Sequence, residues 1–479
     1  MKKLLLLSIL TLGVMSVVYS QTKFEKTIGG SGQDGGYCII PVSTGGYVIG
    51  GYSIWHYGAP EAAQLGVLIK INDHGDTLWK TFIPALASNT QSDVIDVLEL
   101  ADGSFMLTGR ISTVNLPSSD DLLIAKIDKN GSLKWKKNYN VRGYDKGNRI
   151  IKLEDNNFVI AGTTNDLGAQ TDILIMKVNP TGDSIWRKVY GMTGLYNETG
   201  NSIFEKSNNQ LLIGGGTNYG NNKSLFLTLS AQGDSLSCIF LPTTGQGKAA
   251  TKILSIKGYY IYCQGNFVVK IDTSFNQLDI STKFTTGAGD GAPAANMIMD
   301  SDSNLIVTGT YTSASLMDKQ LYVAKLNKDL DTLWVKHFGI ISTNNVEEGF
   351  GICNTADGKY LAVGRAYQDV TNLFDIYLLK LNKDGTLADY TPTLIPEINI
   401  NALSGSIYPN PTKDYIFIKR SSSGEASSIS IYNVQGKLLL QQISKQQTTA
   451  IDLSNFSKGI YILKLKSSGK SEVTRIVKE

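Results

Sequence analysis

Cysteine, histidine and proline are scarce in this chain of 479 residues, at 4, 3 and 11. Four cysteines cannot staple a chain of this length, so a disulfide-dense scaffold is excluded and stability must come from buried apolar surface. The three histidines, His56, His74 and His337, are too scattered for a zinc site, and no metal is expected. Charged residues make up 18% and the net charge is +3, which excludes a basic nucleic-acid-coating chain and a disordered one. No phosphate loop, serine-nucleophile motif or Cys-His pairing is present. After the first 20 residues no apolar run is long enough to span a bilayer.

Those first residues have a different character. Lys2 and Lys3 precede LLLLSILTLGVMSVV, and small residues stand at Val18 and Ser20 before Gln21. This pattern predicts a removable secretory signal over residues 1–20, the alternative being an uncleaved anchor. Export places the cysteines in an oxidising compartment; whether Cys38, Cys238, Cys263 and Cys353 pair or serve as small apolar side chains stays open.

What the chain has in abundance is glycine, 48 residues, and tyrosine, 23, arranged in a repeat. The clearest copy is DLLIAKIDKNGSLKWKKNY, residues 121–139. With its Lys126 as register mark, further copies fall at Lys70, Lys177, Lys270, Lys325 and Lys380, with Thr228 in the same place, spaced by 56, 51, 51, 42, 55 and 55 residues. A second pair of apolar runs joined by Asp-Gly or Asn-Asn turns precedes each mark, as in VIDVLELADGSFMLTGR. Each unit therefore reads as four strands, a to d, joined by hairpin turns. A period of this size belongs to repeat folds in which each unit buries its apolar faces on its neighbours.

Seven marks predict a seven-bladed β-propeller over residues 21–390. The seventh unit lacks a strand d, but Phe24, Lys26 and Ile28 match Trp334, Lys336 and Phe338 in spacing. The N-terminal strand is expected to complete the last blade and close the ring. Trp79, Trp135, Trp186 and Trp334, with Phe24 in the equivalent place, are expected to pack between blades. Residues 391–403, containing Pro392 and Pro396, read as a linker. From 404 to 479 the alternation of short strands predicts a small Ig-like β-sandwich, with a local excess of 11 Lys and Arg over 5 Asp and Glu from residue 400 onward.

The segments SIYPNPTKDYIFIK, IYNVQGKLL and IDLSNFSKGIYILKLKSSGKSEVTRIVKE closely resemble the type A C-terminal sorting domain of the type IX secretion system of Bacteroidetes. The residues carrying the resemblance are Tyr408, Pro409, Asn410, Pro411, Asp452, Leu453, Gly459, Tyr461, Lys478 and Glu479. It implies export through the periplasm, recognition by the outer-membrane translocon, and usually removal of the module with the cargo released or held at the cell surface. A second resemblance, of Lys-Ile-Asp-x-x-Gly-x-x-x-Trp, is to the blade repeat of quinoprotein-like propellers, in which the Trp docks neighbouring blades. The dehydrogenases of that superfamily use an adjacent cysteine pair beside the cofactor; none is present here, and no cofactor is expected.

If the a–b and c–d turns are short, the b–c and d–a connections share one face. That face would present Trp55, His56 and Tyr57 from the first b–c loop, and Asp34, Asp145, Glu198, Asp290 and Glu347 from the d–a connections. Aromatic rings among carboxylates and amides suit a glycan, although a loop folded over its own aromatics explains Trp55 to Tyr57 more simply. The sequence therefore predicts an exported, non-enzymatic binding protein for a glycan or protein ligand, with no nucleic-acid partner. The alternatives are a glycoside hydrolase or polysaccharide lyase using a carboxylate pair, and a structural scaffold without a small ligand.

Overall fold

The computed structural model describes residues 22–29, 32–55, 63–84, 91–112, 120–165, 170–192, 194, 196–220, 222–243, 250–282, 294–312, 319–339, 346–368, 373–390, 405–420, 427–433, 438–467 and 470–479. The chain divides into two compact units, residues 1–390 and 391–479. The signal segment, the linker, His56, Tyr57 and Asp290 lie outside the described residues.

Both units are all-β, with no helix among the described residues. The first unit holds seven four-stranded antiparallel sheets, six of them simple meanders. In the first sheet the strands are Asp34–Pro41, Tyr47–Trp55, Ala63–Ile71 and Thr77–Ile83, strands a to d. Sheets two to six follow at 92–139, 144–190, 198–242, 250–280 and 294–338. The seventh takes three strands, from Glu347–Asn354 to Leu373–Leu381, and its fourth is Glu25–Ile28 from the N-terminus, antiparallel to the third, with Glu25 opposite Leu379.

Apolar residues of the middle strands go alternately to opposite faces, and both faces are covered. Val48 and Leu68 enter a core shared with the second sheet, whereas their neighbours Ile49 and Ile69 enter one shared with the seventh. The run Leu122 to Ala125 divides in the same way: Leu123 and Ala125 pack toward the first sheet, Leu122 and Ile124 toward the third. A strand buried on both sides has no polar face to show, which is why these segments read as continuous apolar runs. Seven such cores occur in this unit, one between each consecutive pair of sheets and one between the seventh and the first.

The outer strands dock on the next sheet by one repeated contact. The ring of Trp135 lies against Gly182 in the c–d turn of the third sheet, where an added Cβ would come within 2.5 Å of it. Trp79 meets Gly131, Trp186 meets Gly233, Trp334 meets Gly385 and Phe24 meets Gly75 in the same way. Gly182 also sits at φ 81°, a left-handed turn position that disfavours side chains. Tyr139 and Tyr190 donate their hydroxyls to the carbonyls of Gly182 and Gly233, which adds a polar clamp to two of these contacts.

The four cysteines are unbridged. Cys38 and Cys353 lie in different cores, so their strands meet but their thiols do not. In the second unit a three-stranded sheet and a four-stranded sheet contribute to one core, in which Ile416, Ile418 and Ile451 meet Ile431, Leu463 and Ile476.

Candidate functional site

Strand a of every sheet in the first unit carries a β-bulge near its start. The pairing with strand b shifts between Gly36 and Cys38, Val94 and Asp96, Gly147 and Arg149, Gly200 and Ser202, Ala250 and Ile253, Ala294 and Asn296, and Gly349 and Gly351. The residues left out of register are Tyr37, Ile95, Asn148, Asn201, Thr251 with Lys252, Ala295 and Phe350. A bulge re-aims the extra side chain away from the pleat. All seven strands do so toward the same place: Tyr37, Ile95, Asn148, Asn201, Thr251, Ala295 and Phe350 line one cavity of about 500 Å³.

The glycines beside the bulges allow this close approach. A Cβ on Gly51, Gly109, Gly162, Gly215 or Gly364 of strand b would fall within about 2 Å of a strand a carbonyl oxygen. Three bulged side chains then tie one sheet to the next: Asn148 Nδ2 donates to Gly200 O at 2.9 Å, Asn201 Nδ2 to Ala250 O at 3.4 Å, and Thr251 Oγ1 to Ala294 O at 2.7 Å. On another arc of the wall Tyr37 and Phe350 meet edge to face at 5.5 Å, and Arg365 lies 5.9 Å from the Phe350 ring.

The rest of the lining is charged. Arg110 donates to Asp93 at 2.5 Å and to Asp120 at 2.8 Å; burial opposes its charge, but the two carboxylates outweigh burial and hold its pKa above the usual value. Arg149 pairs with Asp96 at 3.0 Å, and Asp96 also accepts from the Ile150 amide. Lys146 lines the cavity without an ion pair among the described residues; burial, reinforced by Arg110, lowers its pKa. Lys252, which does not itself line the cavity, stands beside Arg149, whose charge together with burial brings its pKa down to about 7. Burial and Asp93 raise the Tyr37 phenol, so it is present as a neutral hydrogen-bond donor.

The structure places the expected acidic residues elsewhere. Asp34, Asp145, Glu198 and Glu347 are all buried at the beginning of strand a, and none lines this cavity. Asp145 accepts from Thr164 Oγ1 at 2.5 Å and from the amides of Val141 and Arg142 at 2.7 and 3.1 Å, so it braces the chain entering its strand. Glu198 accepts from Thr217 Oγ1 at 2.8 Å and borders a smaller cavity of about 390 Å³ with Met192 and Cys238; burial raises its carboxyl pKa. Trp55 ends strand b of the first sheet. Among the described residues no group of three or more His, Cys, Asp or Glu is placed to hold a metal ion.

Sequence reasoning missed the cavity lining because it looked to loops, and these residues lie inside strands. The signal was available. In GYC, VID, GNR, GNS, ATK, AAN and GFG a small or β-branched first residue is followed by a middle residue that changes character from repeat to repeat.

The second unit joins the two ends of its own signature. Asn410 Oδ1 accepts from the Val477 amide at 2.9 Å, and Thr412 exchanges backbone bonds with Val477 and Glu479 at 2.8 Å each. Lys478 Nζ lies 3.6 Å from Asp414. Asp452 Oδ1 accepts from the Ser454 amide at 2.8 Å, and Tyr461 donates its hydroxyl to Ser457 O at 2.6 Å. Tyr408 stacks near Phe417 with ring centres 5.9 Å apart, and Gly459 starts the strand Gly459–Ser467.

Residues 406–479 match the family described as the secretion system C-terminal sorting domain. This tail indicates interaction with the secretion machinery and export to the cell surface or the medium. No curated protein matches the sequence. Among solved structures, the chain is similar to a protein of unknown function from Bacteroides caccae at 12% identity, covering 61% of this chain and 97% of that one, with TM-score 0.38. It is also similar to the WD40 β-propeller domain of Doa1 at 10% identity, covering 74% and 96% with TM-score 0.44, and to an unknown-function protein from Dyadobacter fermentans at 9%, covering 75% and 97% with TM-score 0.42. At such TM-scores these likenesses carry no argument about this chain.

Proposed function

We propose that this chain is an exported, non-enzymatic binding protein built as a seven-bladed β-propeller, delivered by the type IX system through an Ig-like sorting sandwich, with a glycan or protein ligand. The ring reading is supported by the seven cores, the last of which joins the seventh sheet to the first. The observation that carries the binding reading is the convergence of seven bulged residues on one cavity. Its volume lies in the range of small-ligand sites, and its combination of aromatic, amide and charged groups suits orientation of a polar molecule. Trp55 at the end of strand b, with His56, Tyr57 and Asp290 from the b–c and d–a connections, is proposed as the outer edge of the same face. The bulges lie within a few residues of the d–a connections, which sets the cavity near that face.

Glycan and peptide arrays probed with the purified chain, in parallel with Tyr37→Ala and Trp55→Ala, test this. Retention lost in Tyr37→Ala supports the cavity as the seat. Retention lost only in Trp55→Ala moves the ligand to the loop, and new reducing ends in a retained polysaccharide overturn the non-enzymatic reading. For export, deletion of residues 406–479 is expected to leave the cargo in the periplasm. Cargo still reaching the surface or medium would overturn the sorting assignment.

A further inference from the structure

Resting on the cavity as the binding site, we propose that its ligand is an acidic sugar, whose carboxylate is held by Lys146 and Arg149 and whose ring lies against Tyr37 and Phe350. The bulge itself brings the two cations together. Lys146 pairs with Thr163 and Arg149 with Ala161, two apart on strand b, so the extra residue Asn148 puts side chains three apart in sequence on the same face of the sheet.

Charge at the site does not balance. The lining carries Arg110, Lys146 and Arg149 against Asp93; Asp120 and Asp96 behind it pair with Arg110 and Arg149, and Lys252 adds a further cation beside Arg149. Lys146 and Lys252 have no ion-pair partner among the described residues, and both are half-buried. Unpaired cations that are partly desolvated, one on the cavity wall and one beside Arg149, cost stability unless something compensates them. The lowered pKa values of both lysines express the same cost. A bound carboxylate removes it, accepting charge-assisted hydrogen bonds.

The remaining lining distinguishes a sugar acid from a bare anion. Asn148 and Asn201 each donate to a neighbouring backbone carbonyl, and each retains an amide oxygen as acceptor for hydroxyls. Tyr37 and Phe350 add aromatic surface to the same lining. Inorganic anions have no use for either group.

Calorimetric titration of the full chain with oligogalacturonate, a neutral galactose oligomer of equal length, and sodium sulfate tests the proposal. Oligogalacturonate is expected to bind, with affinity at least tenfold lower in Lys146→Met and a smaller loss in Lys252→Met, which removes only a charge beside Arg149, and sulfate is expected to compete with it. Because neither lysine is ion-paired, both variants should fold, with unfolding midpoints unchanged or raised. Equal binding of acidic and neutral oligomers, both lost in Tyr37→Ala, overturns the acidic class and leaves the cavity standing. Affinity for the acid unaffected by either lysine substitution overturns the cation seat. Sulfate bound without either oligomer overturns the sugar, and binding of none of the three overturns the cavity reading as well.

Discussion

The outer and inner strands of the seven sheets repeat in different ways. At the outer edge both geometry and residues recur: an aromatic ring on strand d rests on a turn glycine of the next sheet in five of the interfaces. At the inner edge only the geometry recurs. Every strand a bulges at the same place, but the residue presented is Tyr, Ile, Asn, Asn, Thr, Ala or Phe. A contact that serves packing has one good solution and repeats it, whereas a position aimed into a cavity is free to differ. Repetition therefore marks the scaffold, and variation at a fixed geometry marks the surface available to a ligand.

The comparison predicts that damage to the outer contact is large and unspecific. Gly182→Val puts a branched side chain at φ 81° against the Trp135 ring, and is expected to cost on the order of 3 kcal/mol or more by chemical denaturation. Trp135→Ala should cost about 3 kcal/mol by loss of apolar contact, and Trp186→Ala a similar amount because it makes the same contact; a tenfold smaller effect at either would break the equivalence of the interfaces. Ligand preference should survive in whatever fraction of each variant remains folded.

Inner substitutions should do the reverse. Lys252→Met is expected to raise stability at pH 7 by on the order of 1 kcal/mol, since it removes a desolvated cation facing Arg149. The pH dependence gives an independent check. A lysine whose folded pKa is about 7, below its unfolded value, binds fewer protons folded than unfolded between those two pH values. Stability of the unsubstituted chain should therefore rise from pH 7 toward pH 10 relative to Lys252→Met, and parallel curves would show that Lys252 bears no such strain. The smallest effect belongs to Asn201→Ala, which loses one long hydrogen bond to Ala250 O and should cost about 1 kcal/mol or less.

Much of the architecture was legible in the chain. The Lys-x-x-x-x-Gly register, with Phe275 and Leu330 in place of Gly in two copies and Thr228 in place of Lys in one, marks seven four-stranded units because tight turns need particular residues and strands buried on both faces need continuous apolar runs. Phe24, Lys26 and Ile28 stood in the spacing of an outer strand, and the chain from Glu25 to Ile28 does pair with the strand Leu373–Leu381. The acidic residues were harder to read. Asp145 and Glu198 look like a converging set when only strand ends are compared, but Asp145 is held by a Thr hydroxyl and the entering amides, and Glu198 accepts from Thr217 beside a separate cavity. Burial and hydrogen-bond partners decide between the two, and sequence carries neither. The signature of the second unit was legible by resemblance, while the reason that Asn410 and Lys478 belong to one motif appears only where Asn410 caps Val477 and Thr412 pairs beside it.

The amino-acid sequence by itself determined the all-β character, the number and length of the sheets and the sorting tail, because these depend on alternation, turn chemistry and ordered motifs within one segment. The tertiary structure decided which residues face a common cavity. Seven bulged positions lie about 50 residues apart along the chain, and the partners that charge or neutralise them, such as Arg149 for Lys252, come from different sheets. A one-residue shift of register reverses which face a side chain occupies, and that shift is settled by pairing between strands rather than by local propensity.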